Sequence, residues 1–159
     1  MKNLLGEHIA TSSEIVNDLL SQPISSAKIS HRDGTKQGFL LTKGTGLLEE
    51  KMKGFHGIPG IYVIYRGNPC ESDSVCWYVG ESQGTIGGRL SRFVKEVTFN
   101  SRRDEDHAAG RKWRNLFGED LSNAYVRVFD IQEQDAVTHK EIEDEMVRRL
   151  KPLANQKRI

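Results

Sequence analysis

Four acidic residues, Glu141, Glu143, Asp144 and Glu145, lie within five positions near the end of the chain, in a segment whose apolar residues recur at helical spacing. With Ile142 as the angular origin and about 100° per residue, Met146, Val147 and Leu150 fall at about 40°, 140° and 80°, and the apolar stripe centres near about 65°. Glu143, at about 100°, lies inside that stripe, whereas Glu141, Asp144 and Glu145 fall more than about 120° from its centre. A carboxylate among core residues must be paired, protonated or bound to a metal, because an unpaired buried charge is very costly. Glu143 is therefore either a functional group or half of a structural ion pair with an arginine such as Arg89.

The second set of candidates lies on two strand-like runs, Gly60-Ile61-Tyr62-Val63-Ile64-Tyr65 and Val75-Cys76-Trp77-Tyr78-Val79-Gly80. Both are rich in aromatic and β-branched residues, and the polar connection between them contains Gly67, Asn68 and Pro69, which predicts a hairpin. A side-chain period of two puts Ile61, Val63 and Tyr65 on one face and Tyr62 and Ile64 on the other. On the partner strand it groups Cys76 with Tyr78 and Trp77 with Val79, so that Tyr62 and Tyr78 can share a side. The following segment predicts a helix over about 85–97, where Ile86, Leu90, Phe93, Val94 and Val97 form one stripe. Arg89 flanks that stripe and can reach over the sheet; Arg92 points to solvent or to a backbone phosphate.

The remaining elements follow from the same patterns. A helix is predicted over about 107–117 and ended by Gly118, a third strand over 123–131, and a last helix over about 138–150, which stops ahead of Pro152. Residues 1–57 read as an N-terminal extension, with a helix around 9–20 stopped by Pro23 and a hairpin about Asp33-Gly34. Residues 58–159 form the second unit.

Composition limits the function classes. The chain has 159 residues, 36% of them hydrophobic and 28% charged, the profile of one ordinary globular domain. No apolar run approaches the roughly 20 residues of a membrane helix, and the first residues carry no secretory pattern, so the expected setting is cytoplasmic with no membrane partner. Cys70 and Cys76 are expected as reduced thiols, and their spacing matches no four-ligand zinc pattern. The net charge of +1 is uninformative, but its distribution is not: residues 83–114 hold eight basic side chains against four acids. Such segregation suits either a basic face for a polyanion or ordinary solvated helix surfaces. The glycines around Gly44 and Gly87 lack the spacing of phosphate loops and dinucleotide sites.

Gly60-Ile61-Tyr62, then Tyr78-Val79-Gly80, then Gly88-Arg89-Leu90, then Glu143 and, past Pro152, Asn155 together resemble the GIY-YIG nuclease superfamily over residues 60–155. The resemblance implies an α+β fold, a small three-stranded antiparallel sheet flanked by helices. It implies a Mg²⁺-dependent endonuclease, with Mn²⁺ substituting, that acts on double-stranded DNA and leaves 5′-phosphate and 3′-hydroxyl ends. Carried over by position, it makes Tyr62 the base that activates water, Tyr78 an orienting group, Arg89 the phosphate partner, Glu143 the metal ligand and Asn155 the brace of Glu143 or its helix.

His107, with the following Arg111-Lys112-Trp113-Arg114-Asn115, is similar to a segment that brings a histidine into the site of phage homing enzymes. Arg92, Lys95, Arg111, Lys112 and Arg114 are then the expected nucleic-acid contacts. Two positions depart from some members of the superfamily: Glu81 stands where repair incision nucleases have lysine, and Phe93 where others have tyrosine or histidine. Glu81 either adds a metal contact or weakens phosphate binding. The expectation is a stand-alone restriction-type or phage-type endonuclease, acting on both strands as a homodimer. The alternative is an inactive nucleic-acid-binding module of the same fold.

Overall fold

The computed structural model describes residues 10–24, 26–31, 39–45, 59–82, 86–98, 107–131 and 138–155. Helix α1 (Ser12–Ser21) starts at Thr11, whose hydroxyl accepts the Glu14 amide while Glu14 reaches back to the Thr11 amide. This capping box satisfies amides the helix itself cannot. The helix ends at Gln22, which is extended as the residue before Pro23 must be. Strands β1 (Ser26–His31) and β2 (Phe39–Thr45) pair antiparallel, and the Asp33-Gly34 turn expected between them lies outside the described residues.

Next come β3 (Gly60–Arg66), β4 (Val75–Ser82), α2 (Ile86–Thr98), α3 (Ala108–Phe117), β5 (Ala124–Asp130) and α4 (His139–Leu150), with a 3₁₀ turn at Leu153–Asn155. These bounds agree with the periodicity within about two residues.

The fold is α+β with an antiparallel sheet, as the resemblance implies, but the sheet is not three-stranded. Among the described residues five strands run in the order β2-β1-β5-β3-β4. Strands β5, β3 and β4 are the expected three; β1 adds to β5 through Ala27 and Lys28, opposite Val126 and Tyr125, so the N-terminal hairpin continues the same sheet. β3 is paired on both sides and buried from Gly60 to Tyr65. That explains why it reads as an unbroken apolar run and not as an alternating one.

Helices cover both faces. α2 and α3 pack Ile86, Leu90, Phe93, Val94, Val97 and Trp113 on the face bearing Tyr62, Ile64 and Trp77. α4 and α1 pack Ile142, Met146 and Val16 on the opposite face, against Ile61, Val63, Tyr65 and Val79. No helix among the described residues is long and apolar enough to cross a membrane.

One strand departs from simple alternation. Ile64 pairs with Tyr78 and Tyr65 with Cys76, which leaves Trp77 as an extra residue in β4. This bulge turns Trp77 to the same side as Tyr78, with Cys76 and Val79 on the other. The expected grouping of Trp77 with Val79 is therefore corrected, while Tyr62 and Tyr78 do share a side. The indole then has a place in the α3 face, where its Nε1–H donates to the Ala109 carbonyl at 3.1 Å and its ring meets Trp113 edge-on.

Candidate functional site

The two motif glycines are demanded by close approach. Gly80 lies opposite Tyr62 in the β3–β4 pairing. A Cβ at Gly80 would lie 2.5 Å from the Tyr62 hydroxyl and 2.7 Å from Cε2 of Tyr78. A Cβ at Gly60 would collide with the Phe129 carbonyl oxygen of β5. Glycine at 80 thus clears the space in which the two tyrosine rings meet, with centroids 6.0 Å apart.

His107 joins them from the start of α3. Its ring lies 5.1 Å from Tyr78 and 5.5 Å from Phe93, centroid to centroid, and its Nε2 is 3.1 Å from the Tyr62 hydroxyl. It is also the N-cap of α3, with Nδ1 accepting the Gly110 amide at 3.4 Å. The cap and the contact with Tyr62 are made by opposite edges of one ring. Burial, followed by the charges of Arg89, Arg92 and Arg111, lowers the His107 pKa to about 3. The imidazole is therefore neutral, and it cannot supply the cationic charge that a tyrosine base would need.

That charge comes from Arg89 on α2, whose field acts on both tyrosines. Partial burial opposes its charge, but the two tyrosines outweigh it and hold the guanidinium pKa above its ordinary value. Tyr62 is fully buried. Burial, then Tyr78, raise its pKa against the opposing effect of Arg89. Tyr78 is partly exposed; burial and Glu143 raise its pKa, while Arg89 and Tyr62 lower it.

Glu143 comes from α4, close enough for its charge to act on both tyrosines. Its cationic partner is Lys140, with Nζ 3.0 Å from Oε1, and not Arg89. Lys140 stands three residues earlier on the same helix, a spacing at which side chains meet, so the pair could have been read from the sequence. Burial raises the carboxyl pKa against Lys140, and Glu81 and Asp144 add to the rise. Low exposure does not single Glu143 out: its side chain is 15% exposed and that of Glu145 is 11%. The expectation that Glu145 lies on an open face fails because α1 docks there. Arg149 bridges Glu145 to Ser13 and Asn17 of α1.

Asn155 braces the site differently from what was expected. Its Oδ1 accepts the Val79 amide at 2.9 Å and its Nδ2 donates to the Val79 carbonyl at 3.0 Å. It grips β4 between Tyr78 and Gly80, and so fixes the turn after α4 to the strand bearing the second motif.

The expected nucleic-acid contacts divide. Arg92 is exposed on α2, Lys95 is partly buried there, and Arg111 is partly buried at the start of α3; Arg92 and Arg111 add to the field of Arg89. Lys112 instead donates to the Ala154 carbonyl at 2.9 Å, and Arg114 to the Glu96 carbonyl at 2.7 Å. These two spend their charge inside the fold.

Neither cysteine is bridged, and burial pushes the Cys76 thiol up to about 12, which leaves it unreactive. Comparison of the chain with family models, with curated proteins and with solved structures returned no match.

Proposed function

We propose that the chain is a metal-dependent DNA endonuclease of restriction or phage type, which hydrolyses phosphodiester bonds and leaves 5′-phosphate and 3′-hydroxyl ends. The observation that carries this reading is the convergence of Tyr62 and Tyr78, from two adjacent strands, on Arg89 and His107, with the Glu143 carboxylate beside them. Each of these residues belongs to the pattern by which the sequence resembles the GIY-YIG superfamily.

The residues present fit a hard divalent cation. Glu143 offers an oxygen ligand, and Glu81, whose charge acts on it, has an Oε2 that is buried with no hydrogen-bond partner among the described residues. No group of three His, Cys, Asp or Glu side chains gathers among those residues. A cation would therefore be held by Glu143 and Glu81, with water completing its oxygen shell, as Mg²⁺ prefers. When bound, Mg²⁺ or Mn²⁺ supplies charge neutralisation at the phosphate and a more acidic water.

Arg89 is placed to pair with a nonbridging phosphate oxygen, a task suited to its forked donors. Arg92, Lys95 and Arg111 extend the positive surface toward the backbone of double-stranded DNA. Cutting both strands with one such site per chain calls for a homodimer.

The test is incubation of the purified protein with supercoiled plasmid and with phage genomic DNA, in Mg²⁺, Mn²⁺ or chelator, beside Glu143→Ala. Cleavage in metal that disappears with chelator and with the variant supports the proposal. The second reading, an inactive binding module, draws on the Lys140 ammonium already seated on Glu143. Intact DNA in every lane, with a gel shift that Glu143→Ala leaves unchanged, would replace the enzyme with that module.

A further inference from the structure

Lys140 is a cation placed against the local rules of its helix. It stands second in α4, inside the capping box of Thr138 and Glu141, where the helix field favours acids and disfavours an ammonium. It also precedes both of its acidic partners, the weaker order for a pair on one helix face. Nevertheless its Nζ lies 3.0 Å from Oε1 of Glu143 and 3.1 Å from Oδ1 of Asp144.

The two acids it bridges differ in their surroundings. The Glu143 side chain is 15% exposed and the Asp144 side chain 63%. Lys140 is itself exposed and holds its charge on a flexible four-carbon stem, so the bridge opens by movement of the ammonium while the Glu143 carboxylate stays. A second carboxylate, Glu81, comes from β4, the strand against which α4 packs, and its charge acts on Glu143. Glu81 Oε2 is buried with no hydrogen-bond partner among the described residues. The ammonium thus answers one of the two carboxylates and leaves the other unanswered.

Resting on the nuclease reading above, we propose that Lys140 is the resident counter-ion of the divalent-cation site, competing with the cation for Glu143 Oε1 and passing wholly to Asp144 when it is displaced. No covalent bond changes in the exchange: Nζ keeps its protons and trades one carboxylate oxygen for water. A divalent ion held by Glu143 and Glu81 satisfies both carboxylates, which one tethered ammonium cannot do. A monovalent ion brings no more charge than the ammonium it must displace, so the competition also selects for divalent ions. Lys140 thereby sets the Mg²⁺ concentration at which the site fills.

The test measures Mn²⁺ binding to the full chain without DNA, read from the electron paramagnetic resonance signal of the free ion. Lys140→Met keeps the length of the stem and removes its charge. It is expected to bind Mn²⁺ roughly 3–20-fold more tightly than the wild type, the scale of one exposed ion pair together with like-charge repulsion over a few ångströms. Arg148→Gln removes a charge from the same helix at a residue paired with Glu145, and is expected to change the affinity less than about twofold. Asp144→Asn removes the second seat, and is expected to weaken Mn²⁺ binding more in the wild type than in Lys140→Met. In a Mg²⁺ titration of the wild type, the carboxyl ¹³C signal of Glu143 and the ζ ¹⁵N signal of Lys140 are expected to move together with one midpoint.

An affinity that Lys140→Met leaves unchanged or lowers, an equal gain in Arg148→Gln, or an equal loss from Asp144→Asn in both backgrounds overturns the proposal while the nuclease reading stands. The expected order of Mn²⁺ affinities in a protein that cuts no DNA supports the counter-ion role and overturns the nuclease reading alone. A wild type and a Lys140→Met variant that both bind no Mn²⁺ overturn the two together.

Discussion

Acid should weaken this fold through His107. The ordinary imidazole pKa is near 6.5, and burial with the charges of Arg89, Arg92 and Arg111 lowers it to about 3 in the folded chain. Between those values only the unfolded chain binds the proton, so stability is fully present above pH 6.5 and declines as pH falls toward 3. The slope is about 1.4 kcal/mol per pH unit, so a drop from pH 7 to pH 5 removes about 2 kcal/mol. Because pH 5 lies well above about 3, this figure depends on the ordinary pKa and not on the depth of the depression.

The assay is urea unfolding of the wild type and of His107→Asn at both pH values. Every other titrating group is common to the two proteins, so their difference isolates the histidine. The wild type should lose about 2 kcal/mol more than the variant on acidification. Equal losses in both proteins would show that His107 titrates normally, and would refute the account of a ring held neutral by burial and three guanidinium groups.

Three further outcomes follow from named contacts. Gly80→Ala puts a methyl group 2.5 Å from the Tyr62 hydroxyl and 2.7 Å from the Tyr78 ring, and should cost about 1–3 kcal/mol in urea unfolding while separating the two hydroxyls and lowering cleavage further than the stability loss explains. Arg92→Ala should reduce the salt dependence of DNA binding with unfolding unchanged, whereas Arg114→Ala should lower the unfolding midpoint by removing its hydrogen bond to the Glu96 carbonyl. Hydrogen bonds from Arg148 and Arg149 hold the Glu145 carboxyl down at about 2, so its stabilising contribution is present above pH 4.5 and lost as pH falls toward 2; Glu145→Gln should flatten thermal stability across that window.

What the sequence discloses and what it hides divide along the range of the interactions. Helix and strand bounds from β3 to α4 follow local periodicity, and the placing of Arg89 beside the two tyrosines follows from its angle on α2. The helical angle of Glu143 correctly took it off the open surface. The same angles misplaced Glu145, because its cover is α1, more than a hundred residues earlier in the chain. Trp77 lies on the face opposite to the one simple alternation gives, because a bulge exists only once two strands have chosen a register. The pairing of β1 with β5, and the inward use of Lys112 and Arg114, are likewise long-range contacts that composition cannot announce. The proton position on His107 depends on an amide three residues away, legible only when the cap geometry is known.

The grip of Asn155 on Val79 also bears on how copies of the chain can meet. Among the described residues β4 is one of the two edge strands of the sheet, and edge strands offer free amides and carbonyls to any extended segment nearby. Asn155 answers both polar groups of Val79 with one side-chain amide, as a neighbouring strand would. Strand addition along β4 is therefore blocked at that point until Asn155 is displaced. Damage to this residue would open an adhesive edge, with aggregation following, so the brace expected of Asn155 also guards the sheet.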